Sequence, residues 1–275
     1  MRLGIFAKTF AGDDPATVLA AAGQAGYACV QYNLACSGLP AMPDAIPATA
    51  MADLTRASAT QGVAIAAISG TYNMIHPDMA QRQIGLVRLG KVIDAAAVAG
   101  IAMVTLCTGT RDAADQWRCH PDNATPEAWR DLLAEMAKAA AMAEARGVLL
   151  GIEPELANVV STAALARRLI DTLQSPALRV VLDPANLFET ASLPDQRDLL
   201  ARSIDLLADR IAMAHAKDRD AMGGFATAGQ GVVDFPHFLR RLRAAGFDGD
   251  LVTHGLTASE APAVATFLTR TLAAL

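Results

Sequence analysis

Short apolar runs alternate eight times with longer Ala-, Leu- and Arg-rich stretches of helical period along this chain. The runs occupy 3–6, 29–31, 63–69, 103–107, 148–153, 180–183, 211–215 and 251–254. The helical stretches occupy 15–25, 47–61, 79–99, 126–146, 161–172, 195–208, 235–245 and 261–274. Parallel strands cannot be joined by a tight turn and need a crossover, so a strand–helix alternation of this kind predicts a parallel sheet.

Punctuation supports the same division. Pro47, Pro126 and Pro236 fall near first helical turns, where a missing N–H costs nothing, and Ser161 is placed to cap a fifth helix. Gly26, Gly62, Gly100, Gly147 and Gly246 each stand just past a helical stretch and lead into the next strand.

Eight such units without a Pro/Gly/Ser linker predict one (β/α)8 TIM barrel spanning 1–275 as a single domain, and 275 residues is an ordinary length for that fold. The competing arrangement is an open, doubly wound sheet that binds a dinucleotide. It would want a G-x-G-x-x-G after an early strand, and no such run is present.

Composition excludes some partners. A net charge of −5 with no Lys/Arg cluster lacks the field that a phosphate backbone requires, so no nucleic acid is expected. No apolar stretch reaches the ~20 residues of a spanning helix, and the run from Leu3 to Ala7 is too short for a signal-peptide core. The chain is therefore expected to be cytoplasmic, with no membrane contact. Cys29, Cys36, Cys107 and Cys119 form no C-x-x-C pair and read as reduced, mostly buried thiols.

In a (β/α)8 barrel, chemistry sits at the C-terminal strand ends and the loops beyond them. The third strand runs into a loop with Asn73 and His76, and the fourth into one with Thr110, Arg111, Trp117 and His120. The fifth ends with Glu153 and Glu155, the sixth with Asp183 and Asn186, the seventh with His215, Lys217 and Asp218, and the eighth with His254. Any one of these alone is more readily a cap or a loop ligand. Together, Glu153, Asp183, His215 and His254 terminate four consecutive strands, and closure would bring them to one rim, where unpaired charges are costly without a cation. Carboxylate oxygen with imidazole nitrogen suits a divalent metal such as Mn²⁺, Co²⁺, Fe²⁺ or Zn²⁺, and suits Mg²⁺ less.

The stretches "GIEPE", "VVLDPANLF", "HAKD" and "GQGVVDFPHFLRRLRAAGFDGDL", in that order, resemble the xylose isomerase-like TIM-barrel superfamily of sugar and sugar-phosphate isomerases and epimerases, which also holds the endonuclease IV branch. The resemblance covers roughly the second half of the chain, with "MRLGIF" and the third-strand loop weaker matches at the front. It implies a metal held by Glu153, Asp183, His215 and a fourth residue after the eighth strand. That position is a glutamate in the family and His254 here.

The departure bears on mechanism. Epimerase members use two glutamates on opposite faces of the sugar as ligands and as acid/base pair. A metal-bound imidazole has little capacity left as a base, so the resemblance implies one-sided chemistry with Glu153 or Glu155 moving the proton. Asn73, His76, Arg111, Glu155, Asn186 and Lys217 are candidate substrate contacts. For Lys217 a salt bridge to Asp218 or another rim carboxylate is the competing role, and for His76 the ordering of its own loop. The expected activity is that of a metal-dependent isomerase or epimerase of a small sugar or sugar phosphate, acting through an ene-diolate. The alternatives are an endonuclease IV-like phosphodiesterase and a non-catalytic sugar-binding barrel. The expected partner is a small carbohydrate, with homo-oligomer formation left open.

Overall fold

The eight predicted units are present in a computed structural model that describes residues 1–275. The strands and helices run, in chain order, β1 Arg2–Phe6, α1 Pro15–Gln24, β2 Cys29–Tyr32, α2 Ala48–Gln61, β3 Ala64–Ser69, α3 Met79–Val98, β4 Met103–Cys107 and α4 Pro126–Glu144. They continue with β5 Leu149–Glu153, α5 Ala163–Leu173, β6 Leu178–Leu182, α6 Leu193–Leu207 and β7 Ile211–Ala216. A small hairpin of β8 Asp218–Arg219 and β9 Phe225–Ala226 follows, then α7 Phe235–Ala244, β10 Asp250–Thr253 and α8 Ala261–Ala273.

Eight of the strands close into one parallel barrel in the order β1-β10-β7-β6-β5-β4-β3-β2, a single (β/α)8 TIM barrel. The seam between the ends of the chain pairs Arg2 with Asp250 and Ile5 with Thr253. Arg2 also grips the Asp250 carboxylate with two hydrogen bonds of 2.7 and 2.9 Å, so a charge-assisted fork reinforces the ladder where the barrel closes.

Local chemistry sets the element ends. Gly62 closes α2 at φ 64°, in the left-handed region where a side chain would be strained. The fifth helix is capped by Thr162 and not by Ser161: the Thr162 hydroxyl accepts from the Leu165 N–H at 3.2 Å. The sixth strand stops at Leu182 because Asp183 turns to cap a short 3-10 turn, Pro184–Asn186, accepting from the Ala185 N–H at 2.9 Å. The eighth barrel strand likewise ends one residue early, at Thr253.

Ala67, Met103, Val181, Met213 and Val252 pack together as a buried cluster inside the barrel. Gly151 makes room for it, since a Cβ there would stand 2.8 Å from Val181 and 3.0 Å from Met103. Side chains on a strand alternate in direction with a period of two. An inward Gly151 therefore puts Glu153 on the inside, Val181 does so for Asp183, Met213 for His215, and Val252 for His254. The packed floor fixes which residues face the space above it. No helix is long and apolar enough to cross a membrane, and all four cysteines are free, with only Cys119 exposed.

Met213 is fully buried in this floor. Met213→Ala is expected to cost about 2–5 kcal/mol of stability in urea denaturation, as for other large-to-small changes in a tight interior. A loss well below that range would show that the floor collapses freely around the gap.

Candidate metal centre at the barrel mouth

The four rim residues do converge. One donor atom from each of Glu153, Asp183, His215 and His254 lies within 4.8 Å of all the others. Donors arranged about one ion at about 2.1 Å stand roughly 3.4 Å apart. Here His215 Nδ1 is 3.2 Å from Glu153 Oε1 and 3.7 Å from Asp183 Oδ2, while His254 Nε2 is 3.3 Å from Asp183 Oδ2. Spacing and chemistry both fit a divalent cation.

The charges explain how the cluster holds together. Asp183 is fully buried, which by itself would raise its pKa, but Lys217, His215 and His254 hold the carboxyl well below the usual carboxylate range. Glu153 is also kept low against burial, chiefly by His215. His215 moves the other way: burial favours the neutral ring, but the Glu153 and Asp183 charges raise its pKa to about 9. His254 is pushed below the ordinary imidazole range, first by burial and then by the nearby positive groups, against the pull of Asp183. The two carboxylates thus favour the protonated form of His215, while burial disfavours that of His254.

A residue that sequence reasoning missed orients the cluster. Gln31 of β2 donates through Nε2 to Ser69 Oγ at 3.2 Å and Thr105 Oγ1 at 3.1 Å, which turns its Oε1 to His215 Nε2 at 2.8 Å. That acceptor keeps the proton on Nε2 and leaves Nδ1 as the nitrogen that faces Glu153 and Asp183. Nothing local marks Gln31 in the sequence beyond its being a polar side chain inside a short apolar run.

The cavity above the floor measures about 510 Å³, and Glu153, Glu155, Asn186, His215, Lys217 and His254 all line it. Asn186 donates to Glu153 Oε1 at 2.6 Å and leaves its own Oδ1 buried without a partner. Glu155, whose direction the sequence leaves undetermined, continues the inward face past Pro154 and accepts weakly from the Cys107 thiol at 3.8 Å. Burial and the Glu153 charge raise its pKa to about 7. Lys217 Nζ stands 3.6 Å from Asp183 Oδ2 and 3.8 Å over the Phe225 ring.

Asp218 is not the partner of Lys217. It faces away and takes four backbone N–H groups at 2.8–2.9 Å, from Arg219, Gly229, Gly231 and Val233. A Cβ on Gly231 would meet the Arg219 carbonyl at 2.1 Å, so the "GQG" of the sequence is a backbone fit around one carboxylate.

Three expected substrate contacts lie elsewhere. Asn73 accepts from the Thr110 N–H and donates to the Asp112 carbonyl, tying the third-strand loop to the fourth. Both ring nitrogens of His76 are engaged, with Ala113 O and the Asp78 N–H, so this ring orders its loop and does not reach the cluster. Arg111 turns to Asp131 of α4 at 2.6 Å and to the Ile75 carbonyl at 3.1 Å. None of the three lines the cavity. His120 caps the short turn Pro121–Ala124, whereas Trp117, half-exposed, does stand at the cavity mouth.

A family model described as "Xylose isomerase-like TIM barrel" matches residues 19–265. No curated protein matches the chain in sequence. Among solved structures, the 3-keto-D-glucoside 4-epimerase from E. coli superposes with a TM-score of 0.77 at 15% identity, covering 98% of this chain and 99% of its own. D-allulose 3-epimerase from Methylomonas sp. gives 0.75 at 17%, covering 100% and 97%, and D-psicose 3-epimerase from Clostridium cellulolyticum H10 gives 0.76 at 14%, covering 99% of each. At these identities the likeness shows the fold.

Gln31→Leu is expected to weaken divalent-cation binding by about 10–100-fold in a calorimetric titration with Mn²⁺, the usual effect of losing a ligand's orienting partner. Unchanged affinity would show that packing alone orients His215. The fourth-strand loop gives a second expectation. Arg118, followed by the Ala114 and Asp115 N–H groups, lowers the Asp112 pKa below its ordinary 3.8. A group depressed on folding stabilises fully above its unfolded pKa and loses that contribution as pH falls towards the folded value. The protection factors of amides in 110–118, taken against the intrinsic exchange rate at each pH, should therefore fall as pH drops below about 4, and Asp112→Asn should lower them likewise at pH 7.

Proposed function

The chain belongs to the xylose isomerase-like TIM-barrel family, and from that premise we propose that it is a metal-dependent isomerase or epimerase of a small sugar or sugar phosphate, working through an ene-diolate. The observation that carries this reading is the convergence of Glu153, Asp183, His215 and His254 at the floor of a sugar-sized cavity. When bound there, a divalent cation would polarise a carbonyl and its neighbouring hydroxyl and stabilise the negative charge that develops as a proton leaves the adjacent carbon.

The residues of the chain supply the rest. Glu153 is the proposed base: Asn186 and His215 hold its Oε1, which leaves Oε2 for the substrate. Glu155, two positions further along the same inward face, is placed to return the proton or to bind a hydroxyl. Asn186 and Lys217 position the sugar. Both carboxylates rise from β5, while β10 offers an imidazole, so proton transfer along one face of the sugar, as in aldose–ketose interconversion, is the step this arrangement serves most directly. Inversion at a carbon would need His254 to act from the other side.

Phosphodiester hydrolysis fits less well. One cluster of potential ligands is present, His76 is held away from it, and the chain is acidic.

The test is solvent exchange. With Mn²⁺ bound, the protein is expected to incorporate deuterium from D2O into a ketose next to its carbonyl, and Glu153→Gln should slow this by about 10²–10⁴-fold. NMR of the recovered sugar separates isomerisation from inversion. If titrations with Mn²⁺, Co²⁺ and Zn²⁺ show no binding and Glu153→Ala leaves turnover intact, the reading fails. Sugar binding without exchange would mark a binding barrel.

A further inference from the structure

The cavity wall is electrically lopsided. Barrel order sets β7, β10 and β1 side by side, and the inward positions beyond their ends are Lys217, His254 and Lys8. Across the barrel, β5 presents Glu153 and Glu155. One arc is acidic, and the facing arc carries only nitrogen.

The two lysines are not used up by the protein. Lys8, in the 3-10 turn Ala7–Thr9 that follows β1, lines the cavity and has no carboxylate within ion-pair distance. Lys217 has one carboxylate neighbour, Asp183, whose same oxygen also serves His215 and His254. Glu153 and Asp183 offer two negative charges, which a divalent cation cancels, and Glu155, its pKa raised to about 7 by burial and the Glu153 charge, adds at most a partial one from the opposite arc. Histidine at 254 adds none, whereas the family's glutamate would bring one more negative charge to the arc between the two lysines. Asn33 lines the same side, and its Oδ1 already accepts from the Ala35 N–H, so its amide N–H groups remain as donors. The rings of Phe6 and Phe225 flank the arc as apolar walls, and such walls focus rather than screen a field.

We propose that this cavity selects a sugar bearing an anionic substituent, a carboxylate or a phosphate ester, seated between Lys8 and Lys217 on the β7–β10–β1 side. The inference rests on the metal-dependent reading above and adds the charge class of the substrate. Exchange of His254 for the family's glutamate is then a specificity change: it trades a second carboxylate base for room to accept an anion.

Calorimetry on the Mn²⁺-loaded protein tests this with D-fructose, D-glucuronate and D-fructose 6-phosphate as probes. At low ionic strength at least one of the two anions should bind about 10–100-fold tighter than fructose, the range of a charge-assisted hydrogen bond. The advantage should shrink as salt approaches 1 M. Whichever anion wins tells carboxylate from phosphate. Lys8→Met and His254→Glu should each remove most of the advantage, and Lys8→Arg should restore it, with circular dichroism checking that each variant is folded. Equal binding of fructose and both anions overturns the proposal, as does a preference that survives Lys8→Met and Lys217→Met together. The two readings fail separately. Mn²⁺ uptake and ketose exchange without anion preference sink the anion site alone. An anion preference lost in Lys8→Met, in a protein that exchanges no ketose proton, upholds the anion site and sinks the isomerase.

Discussion

Closure of the sheet onto itself is the constraint from which the rest follows. Once β10 pairs with β1, every second residue of eight strands points at one axis, and the choice of which residues these are is no longer local. Met103, Val181, Met213 and Val252 take the lower positions and exclude water there. The next inward positions on β5 and β7, and those just past β6 and β10, hold the acids and imidazoles. A slip of one residue in any of these strands would bury an aliphatic side chain at the rim and turn a carboxylate into the helix layer.

Burial then makes the polar groups interdependent. An isolated carboxylate as deep as Asp183 would be expected to neutralise. It stays ionised because Lys217, His215 and His254 approach one oxygen while the Ala185 N–H holds the other. Gln31 extends the network across the barrel to Ser69 and Thr105, so a residue from β2 governs the orientation of a ring on β7. The outer, cavity-facing end of the site is more loosely built, with Glu155 and Lys8 carrying few protein partners.

The parts legible in the sequence are those with a period or a marker. Alternation gave the barrel, and strand-end position gave Glu153, Asp183, His215 and His254, because a strand fixes direction as well as depth. Loops do not. Asn73, His76 and Arg111 share a loop region with the cavity, but their polar atoms are taken by Thr110, Ala113 and Asp131, partners that no sequence spacing reveals. Gln31 escaped notice, and Asp218 was placed at its strand end but with the wrong partner, for a related reason. Each matters through contacts with distant backbone or side chains, and no spacing in the sequence shows those contacts.

Asp218 has a wider reach than its burial suggests. Four amide hydrogens from both sides of the loop after β7 end on one carboxylate, so the path from Arg219 to Val233 is gathered at its base, with the β8–β9 pairing and a Thr227–Glu260 hydrogen bond as lighter ties further out. The intervening tip, with its own Asp220 turn, hangs from that anchor without contributing to it. Relatives built on the same frame are thus free to lengthen, shorten or redecorate the tip, and with it the outer edge of the binding cavity, while Lys217 and the start of α7 keep their places.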